Sequence, residues 1–365
     1  MDKIAEWWSN VQRSLLPHLE ECLPPGLTPR HRQFILVLDL IRVEEHLPPP
    51  SHWWRGRPRA DRRALARAFL AKACFNYPTT EALWDRLLVD ETLRQLCGWE
   101  MRRQVPSLST FSRAFAEFAE GDLLDRVHAS RVEEVLEDTL VWHASRDSTP
   151  IEAREKPVKQ EKPVQAKRPR GRPKKGEVWP EPEKKRLERQ YFEWSTQEAL
   201  DELPRECAVG GKKNAKGEAE YWVGYKFHVD VGDSGIPLFA VTTSASLHDS
   251  QVAIPMARTT AARVTSWYDL MDSAYQADYI LQVSLDLGHV PIIDHNPGRT
   301  KRKVPFEPDR ARRFDQRTQS ERFNAGLKDD HGGRHVRVRG HRKVHTHLMF
   351  GLLVIFAEVV VGWVT

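Results

Sequence analysis

Apolar residues recur at helical spacing through the first 135 residues of the chain. Between Ser109 and Gly121, three phenylalanines and an alanine fall at positions i, i+3, i+4 and i+7, which is one face of a helix. Comparable patterns follow Asp61 and run from Thr80 to Gly98, with breaks at proline pairs. We therefore predict an all-helical N-terminal domain over residues 1–135.

The connection of residues 105–108, before the phenylalanine-rich helix, has two interpretations. It fits the elbow of a helix-turn-helix, which would make this helix a DNA reader. It fits equally an amphipathic helix that closes a bundle. DNA binding by the N-terminal domain is therefore a hypothesis at this point.

The pattern changes to strands near Thr139. Two-residue alternation over Tyr221–Val231 and a Gly-Asp-Ser-Gly turn predict an antiparallel hairpin. The further elements are a strand at 139–147, helices at about 249–264, 276–286 and 309–329, and strands at 267–271 and 289–294. This order predicts an α/β fold over residues 136–365. Its centre would be a ribonuclease-H-like mixed five-stranded sheet flanked by helices, although other α/β topologies share the order.

A basic insertion interrupts this second domain at 155–218. Residues 155–190 hold six prolines and no apolar periodicity, so we expect the insertion to be disordered. The Arg170-Gly171-Arg172-Pro173 core, followed by Lys174, resembles an AT-hook. Such a segment would place Arg170, Arg172 and Lys174 in or beside the minor groove of A·T-rich DNA. The alternative is a flexible tether with non-specific phosphate attraction.

Charge is concentrated in two stretches of the chain. The 365 residues carry 56 Lys and Arg against 51 Asp and Glu, a net charge of +5. The stretch 156–175 has nine basic residues and one acid, and 299–343 has fifteen basic residues and six acids. The remainder is therefore negative, and the two basic stretches indicate a polyanionic partner.

Composition excludes several other classes of protein. A hydrophobic fraction of 40% excludes wholesale disorder, and four scattered cysteines without a CxxC pair argue against a disulfide scaffold. A reducing, cytoplasmic environment fits this cysteine usage. The apolar run 348–365 contains Glu358 and is short for a membrane span, so we predict a buried core helix and no membrane partner.

Three acids stand where the predicted sheet would gather them. Asp147 ends the first strand, Asp272 ends the fourth, and Glu321 lies within the helix at 309–329. If those strands are neighbours, the first two carboxylates meet at one edge. Three carboxylates favour Mg²⁺ or Mn²⁺ over zinc. Two such ions about 4 Å apart activate a water and stabilise the leaving oxygen of a phosphodiester.

The helix that bears Glu321 has basic residues on the same face. Phe314, Arg317, Glu321 and Lys328 fall at i, i+3, i+7 and i+14. A carboxylate between Arg and Lys suits a site that holds both metal and DNA phosphate. The alternative is a solvated helix with an i,i+4 Arg–Glu pair.

Several motifs together resemble the bacterial insertion-sequence DDE transposases. Arg317-x3-Glu321-x6-Lys328, preceded by an aromatic residue, resembles their Tyr-Arg-Glu-Lys signature. The further similar stretches are Asp147-Ser148-Thr149, Gly224-Tyr225-Lys226-x-His228, Ser246-Leu247-His248-Asp249, Met271-Asp272-Ser273-Ala274-Tyr275 and 337–344, with 113–119 in the helical part. The resemblance covers roughly residues 50–363.

The resemblance implies a function and a set of site residues. Asp147, Asp272 and Glu321 would be the catalytic triad and would bind two Mg²⁺ or Mn²⁺ ions. Arg317, Lys328 and Lys226 would contact double-stranded DNA, both element ends and target. Pairing two ends implies at least a homodimer, at the bacterial nucleoid.

This sequence departs from the family pattern in two places. Phe314 replaces the signature tyrosine and loses its phosphate hydrogen bond. The 49-residue interval between Asp272 and Glu321 leaves no room for a large β-rich insertion, which puts a hairpin-forming mechanism in doubt.

Other activities are weighed against transposition. A metal-dependent nuclease would use the same acids without joining strands, and a silent transposase-derived protein would only bind DNA. A tyrosine recombinase is disfavoured because no tyrosine follows Tyr279, and a serine recombinase because the N-terminal region is helical.

Overall fold

The computed structural model describes residues 2–22, 26–48, 59–137, 139–158, 184–213, 217–296 and 304–364. The AT-hook-like stretch with Arg170, Arg172 and Lys174 lies outside these ranges. Its interpretation stays a prediction.

The described part of the N-terminal region is helical up to residue 136. Its helices are α1 (Asp2–Asn10), α2 (Leu16–Cys22), α3 (Pro29–Ile41), α4 (Arg62–Cys74), α5 (Thr80–Val89), α6 (Glu91–Cys97), α7 (Leu108–Glu120) and α8 (Leu123–Leu136). The single helix predicted from Thr80 is divided in two at Asp90. The Asp90 carboxylate accepts a hydrogen bond from the Leu93 amide at 2.9 Å and so caps the start of α6.

A mixed sheet of six strands in the described residues forms the second region. The strands are β1 (Val141–Glu152), β2 (Ala208–Lys213), β3 (Ala219–Val231), β4 (Pro237–Ser244), β5 (Ser266–Met271) and β6 (Val290–Ile293). The path β4-β3-β1-β5-β6 is antiparallel up to β1 and parallel from β1 to β6. The ribonuclease-H-like prediction is thus confirmed, with β2 as an added strand against β3.

The insertion predicted at 155–218 contains ordered structure in its second half. The helices α9 (Arg186–Phe192) and α10 (Thr196–Asp201) precede β2. Tyr191 of α9 packs on Tyr279 with ring centroids 5.5 Å apart, and Ala199 of α10 is buried. The expectation of disorder was wrong for these residues, because two short helices show too few turns for their periodicity to stand out.

Helices cover both faces of the sheet. They are α11 (Ser250–Arg263), α12 (Asp278–Asp286), α13 (Pro308–Phe314), α14 (Thr318–Asp329) and α15 (His341–Gly362). The helix predicted at 309–329 is divided by a 3₁₀ turn at Asp315–Arg317. Phe227 and Val229 of β3 lie in the same core cluster as α15, whereas Asp230 faces α11 through a hydrogen bond to Thr260.

Helix α15 joins the two regions into one core. It packs against α3, α4, α7 and α8 on one side and against β4 and α14 on the other. A single cluster of buried residues includes Phe69 of α4, Phe227 of β3 and Phe356 of α15. By length and composition this helix is apolar enough to cross a membrane, yet most of its side chains are buried in the fold. This agrees with the predicted core helix.

A buried ion pair lies at the centre of the sheet. The Arg146 guanidinium on β1 donates to the Asp230 carboxylate on β3 at 2.7 Å, and both side chains are at most 2% exposed. Thr260 of α11 donates to the same carboxylate oxygen at 2.6 Å. The pair therefore joins β1, β3 and α11 on the sheet face opposite α14.

Replacing Arg146 with alanine should destabilise the fold strongly. The buried Asp230 would lose its counter-charge, and removing one partner of a buried pair costs about 3–5 kcal/mol. Urea unfolding of Arg146→Ala against Arg102→Ala measures this, since Arg102 is an exposed arginine. Equal unfolding free energies for the two variants would contradict the importance of the pair.

A second buried charge, Lys72 on α4, has no counter-charge among the described residues. Its side chain is buried, and burial lowers its pKa from 10.5 to about 8. Because the folded pKa lies below the unfolded one, the charged lysine destabilises the fold below pH 8. Stability should therefore rise as pH increases from about 8 towards 10.5.

Lys72→Met should raise the free energy of unfolding at pH 7 by about 1–3 kcal/mol. It should also remove the rise in stability between pH 8 and 10.5 that the native chain shows. Urea unfolding of both proteins at pH 7 and pH 9.5 checks this. A variant that is less stable at pH 7, or that keeps the same pH slope, would refute the assignment.

Candidate active site

The parallel pairing of β1 and β5 brings Asp147 and Asp272 together. Arg146 pairs with Met271 in the strand register, so the next residue on each strand is one of the two acids. Neighbouring strands lie about 4.8 Å apart. The expectation that these strands are neighbours is confirmed. The expectation that Asp147 ends its strand was wrong, because β1 continues along β3 as far as Glu152.

Helix α14 lies over Asp147 and carries Glu321 at its start. Arg317, in the 3₁₀ turn before α14, pairs with the Glu321 carboxylate, and its Nη1 lies 3.8 Å from Asp147 Oδ1. Asn324 Nδ2, one turn further on, donates to Asp147 Oδ2 at 3.0 Å. Two residues of one helical segment thus hold the β1 acid, and Arg317 links it to Glu321.

Burial and nearby negative charges raise the pKa values of the two sheet acids. Burial raises the pKa of Asp147 to about 6, Arg317 opposes the shift, and the negative charges of Asp272 and Asp249 add to it. Burial also raises the pKa of Asp272, although its carboxylate accepts a 2.9 Å hydrogen bond from the Ala274 amide. The nearby positive charge therefore does not balance the two carboxylates.

Two acids near Asp272 were not predicted as site residues. Asp294 follows β6 and, like Asp249, raises the pKa of Asp272. The signal for Asp294 was present, because it ends a predicted strand as Asp272 does. Asp249 lies in a quoted family motif, and its carboxylate is paired with Lys226 Nζ at 2.9 Å.

Asn324 was also missed. It lies three residues after Glu321, one turn along the helix, and only its contact with Asp147 distinguishes it from any other amide.

Of the two described lysines that were predicted to bind DNA, Lys226 is already paired inside the protein. Its side chain is 12% exposed and donates to the Leu247 carbonyl as well as to Asp249, each at 2.9 Å. A DNA contact through this ammonium stays a prediction and would require breaking that pair.

Lys328 lies two turns along α14 from Glu321, which is about 10 Å. It is half-buried, and burial together with the positive charges of Lys212 and Arg334 lowers its pKa. Lys328 therefore belongs to a basic cluster beside the acids and is not one of the side chains that contact them.

Phe314 stands where the family signature has tyrosine, and it packs against the site arginine. The Arg317 guanidinium carbon lies 5.7 Å from the centroid of its ring. One residue earlier, the Arg313 guanidinium lies 4.2 Å over the ring of Tyr268 on β5. Aromatic contacts therefore help to hold Arg317 beside Asp147 and Arg313 over β5.

The oxygen-rich composition of the site suits a hard divalent cation. No three His, Cys, Asp or Glu side chains of the described ranges stand close enough together to hold a metal ion. The side chains present are nonetheless carboxylates of raised pKa, and the buried Asn324 Oδ1 beside Asp147 has no hydrogen-bond partner in this part of the chain. This donor set fits Mg²⁺ or Mn²⁺ better than zinc.

Comparisons with known proteins identify the family of the chain. A family model described as "Transposase DDE domain" matches residues 145–357, and one described as "Transposase domain (DUF772)" matches residues 19–117. A search of curated proteins found no match. The first model spans more than half of the chain, includes all three predicted acids and coincides with the mixed sheet. The chain therefore belongs to the DDE transposase family of insertion sequences.

Proposed function

We propose that this transposase cuts DNA at the ends of its element and joins the freed 3′-hydroxyl groups to target DNA, with Asp147, Asp272 and Glu321 as its catalytic acids. The observation that carries the proposal is the register of β1 and β5. It sets Asp147 beside Asp272, directly under the helical segment that holds Glu321. The chemistry needs no covalent bond between protein and DNA.

Two Mg²⁺ or Mn²⁺ ions are the proposed cofactors. Asp147, Asp272 and Glu321 would hold them, with Asn324 Oδ1 as a further oxygen beside Asp147. When bound, such ions lower the pKa of an attacking water and stabilise the charge on the phosphodiester oxygens. The raised pKa values of Asp147 and Asp272 support the proposal, since a positively charged ligand relieves their repulsion.

Arg317 would have two partners in turn. In the protein alone its guanidinium balances Asp147 and Glu321. Its planar fork also matches the geometry of a DNA phosphate, and its aromatic support from Phe314 keeps it at the edge of the site. We infer that Arg317 favours the charged form of Asp147 and holds Glu321 near it before DNA binds, and that it holds a backbone phosphate in the complex.

The helical region, residues 1–135, is proposed to supply further DNA contacts. A cleft of about 960 Å³ at the start of α7 is lined by Arg59, Arg62, Arg103 and Arg113, with Glu117 as its acid. The apolar face of α7 is buried, which leaves Ser109 and Arg113 exposed beside the cleft. Positive charge at a helix N-terminus suits DNA phosphates, with or without sequence reading.

The active complex is proposed to be a homodimer or larger, at the nucleoid in the cytoplasm. This follows from the need to hold two element ends at once.

Asp147→Asn and Asp272→Asn should each lower cleavage of element-end DNA by about 100-fold or more, with DNA affinity retained. Purified protein, Mg²⁺ and the terminal DNA of its own element provide the assay. Asp309→Asn, at an exposed acid on α13, is the matched control. Pre-cut ends with free 3′-hydroxyl groups test joining separately.

Each result of this assay has a distinct meaning. Cleavage unaffected by Asp272→Asn would overturn the site. Cleavage without joining of pre-cut ends would identify a nuclease, and binding without either reaction a silent DNA-binding protein.

Charge removal in the α7 cleft should weaken DNA binding. The double variant Arg103→Gln/Arg113→Gln should lose about tenfold in affinity, with the slope of log K against log salt reduced by about 2. Fluorescence anisotropy over a salt series measures both values. The control variant Arg126→Gln removes an exposed arginine of α8 outside the cleft. It should change the affinity and the salt slope by about half as much or less. Unchanged binding by the double variant would remove the cleft from the DNA path.

A further inference from the structure

Lys72 is a buried positive charge that the catalytic site does not use. Its side chain is 8% exposed, and no hydrogen bond or ion pair of its ammonium occurs within the described ranges. An unpaired buried charge is costly, and a methionine of similar shape would avoid that cost. Some gain outside folding stability would explain a lysine at this position.

The residue lines a small cavity where the helical region meets the loop that joins α14 to α15. The cavity has a volume of about 40 Å³, room for a small anion or a few waters. Its polar lining comes from Thr79 and Thr80 at the start of α5, from Arg337 and His331 of the loop, and from His347 of α15. No carboxylate of the described residues lines it.

The two histidines among these polar groups already have partners. His331 Nε2 lies 3.2 Å from Glu358 Oε2, and His347 Nε2 donates to the Gly332 carbonyl at 2.9 Å. Burial and the nearby Lys72 charge lower the pKa of His347 to about 3, so this ring is neutral. Lys72 and Arg337 are the cations left to receive a ligand.

The N-terminal turn of α5 adds a third source of positive potential. This helix has ten residues, and Thr79 is its N-cap, with its hydroxyl accepting from the Ala82 amide at 3.0 Å. Helix N-termini carry a partial positive charge and exposed amide groups, which favour phosphate. A buried lysine, an arginine and a helix N-terminus thus face one cavity.

We propose that Lys72, Arg337 and the first turn of α5 form a second phosphate site, separate from the three acids, that takes one backbone phosphate of a DNA strand. This inference rests on the proposed function, since the ligand is the DNA on which the acids act. The site would anchor the strand and take no part in the reaction itself.

The surroundings of the cavity favour a phosphate in a DNA strand over free phosphate. Arg337 is exposed, and Arg334 and Arg339 of the same loop are exposed beside it. Arg334 is also close enough to Lys328 to lower its pKa. Basic side chains therefore connect α14, which carries Glu321, with the cavity, and one of them, Arg334, is paired with Asp329. A volume of about 40 Å³ holds a phosphate group but no base or sugar.

The inference predicts that one substitution moves stability and DNA binding in opposite directions. Lys72→Met should raise the midpoint of thermal unfolding, yet weaken binding to element-end duplex about three- to tenfold at 0.1 M salt. The slope of log K against log salt should fall by about 0.9, the value for one phosphate contact. Arg337→Gln, at the cavity mouth, should reproduce the binding loss without the stabilisation.

Fluorescence anisotropy with the full chain, over a salt series, tests this, with Arg126→Gln as the matched loss of charge outside the cavity. Native affinity and salt slope in both Lys72→Met and Arg337→Gln would overturn the inference. Titration with inorganic phosphate forms the second arm. Phosphate binding that depends on Lys72, combined with unchanged DNA binding, would assign the cavity to free phosphate and overturn the DNA assignment.

The test separates this inference from the proposed function. Asp272→Asn should abolish cleavage but keep the native salt slope, whereas Lys72→Met should keep measurable cleavage at saturating DNA. If Lys72→Met leaves DNA binding unchanged while Asp272→Asn still lowers cleavage, only the second site is overturned. A native chain that neither binds nor cuts its element ends would overturn both.

Discussion

The buried pair of Arg146 and Asp230 fixes where the chemistry of this protein takes place. Neighbouring residues of a strand point to opposite faces, so a slip by one residue would exchange Arg146 and Asp147 between faces. Such a slip would bury a carboxylate under α11 and leave the guanidinium opposite Asn324. Because an unpaired charge inside the sheet is so costly, the pair holds β1 in one register against β3 and β5. The position of Asp147 follows from that register.

Much of the fold could be read from local patterns, and the failures have physical causes. Alternation in β3 and the acids after buried strands predicted the sheet and the meeting of Asp147 with Asp272. The continuation of β1 to Glu152 depends on pairing with a strand about 75 residues later, which no local pattern contains. The division of the predicted helix at Asp315–Arg317 likewise serves a distant contact, since it lets Arg317 reach Asp147.

The residue types of the site could be predicted from the sequence, but the contacts between their side chains could not. Carboxylates with an arginine and a lysine at helical spacing indicated metal and phosphate chemistry, and Arg317 lies among the acids as expected. The pairing of Lys226 with Asp249 and the hydrogen bond from Asn324 to Asp147 depend on side chains that meet across elements. Lys72 illustrates the same limit. It lies three residues after Phe69 on a buried face of α4, and only the packing of α15 and of the loop before it shows that the lysine is enclosed.

The packing of α15 between the two regions affects how the chain is made. The helices that end at Leu136 line the surface that α15 fills, yet α15 begins more than 200 residues later, at His341. At ordinary rates of synthesis, roughly 10 to 40 s pass between the emergence of the two. During that time the early helices expose the apolar side chains that α15 will cover, including Phe69. The newly made N-terminal region therefore exposes an apolar surface that a chaperone would bind. A chain interrupted before α15 is expected to aggregate or be degraded before it folds.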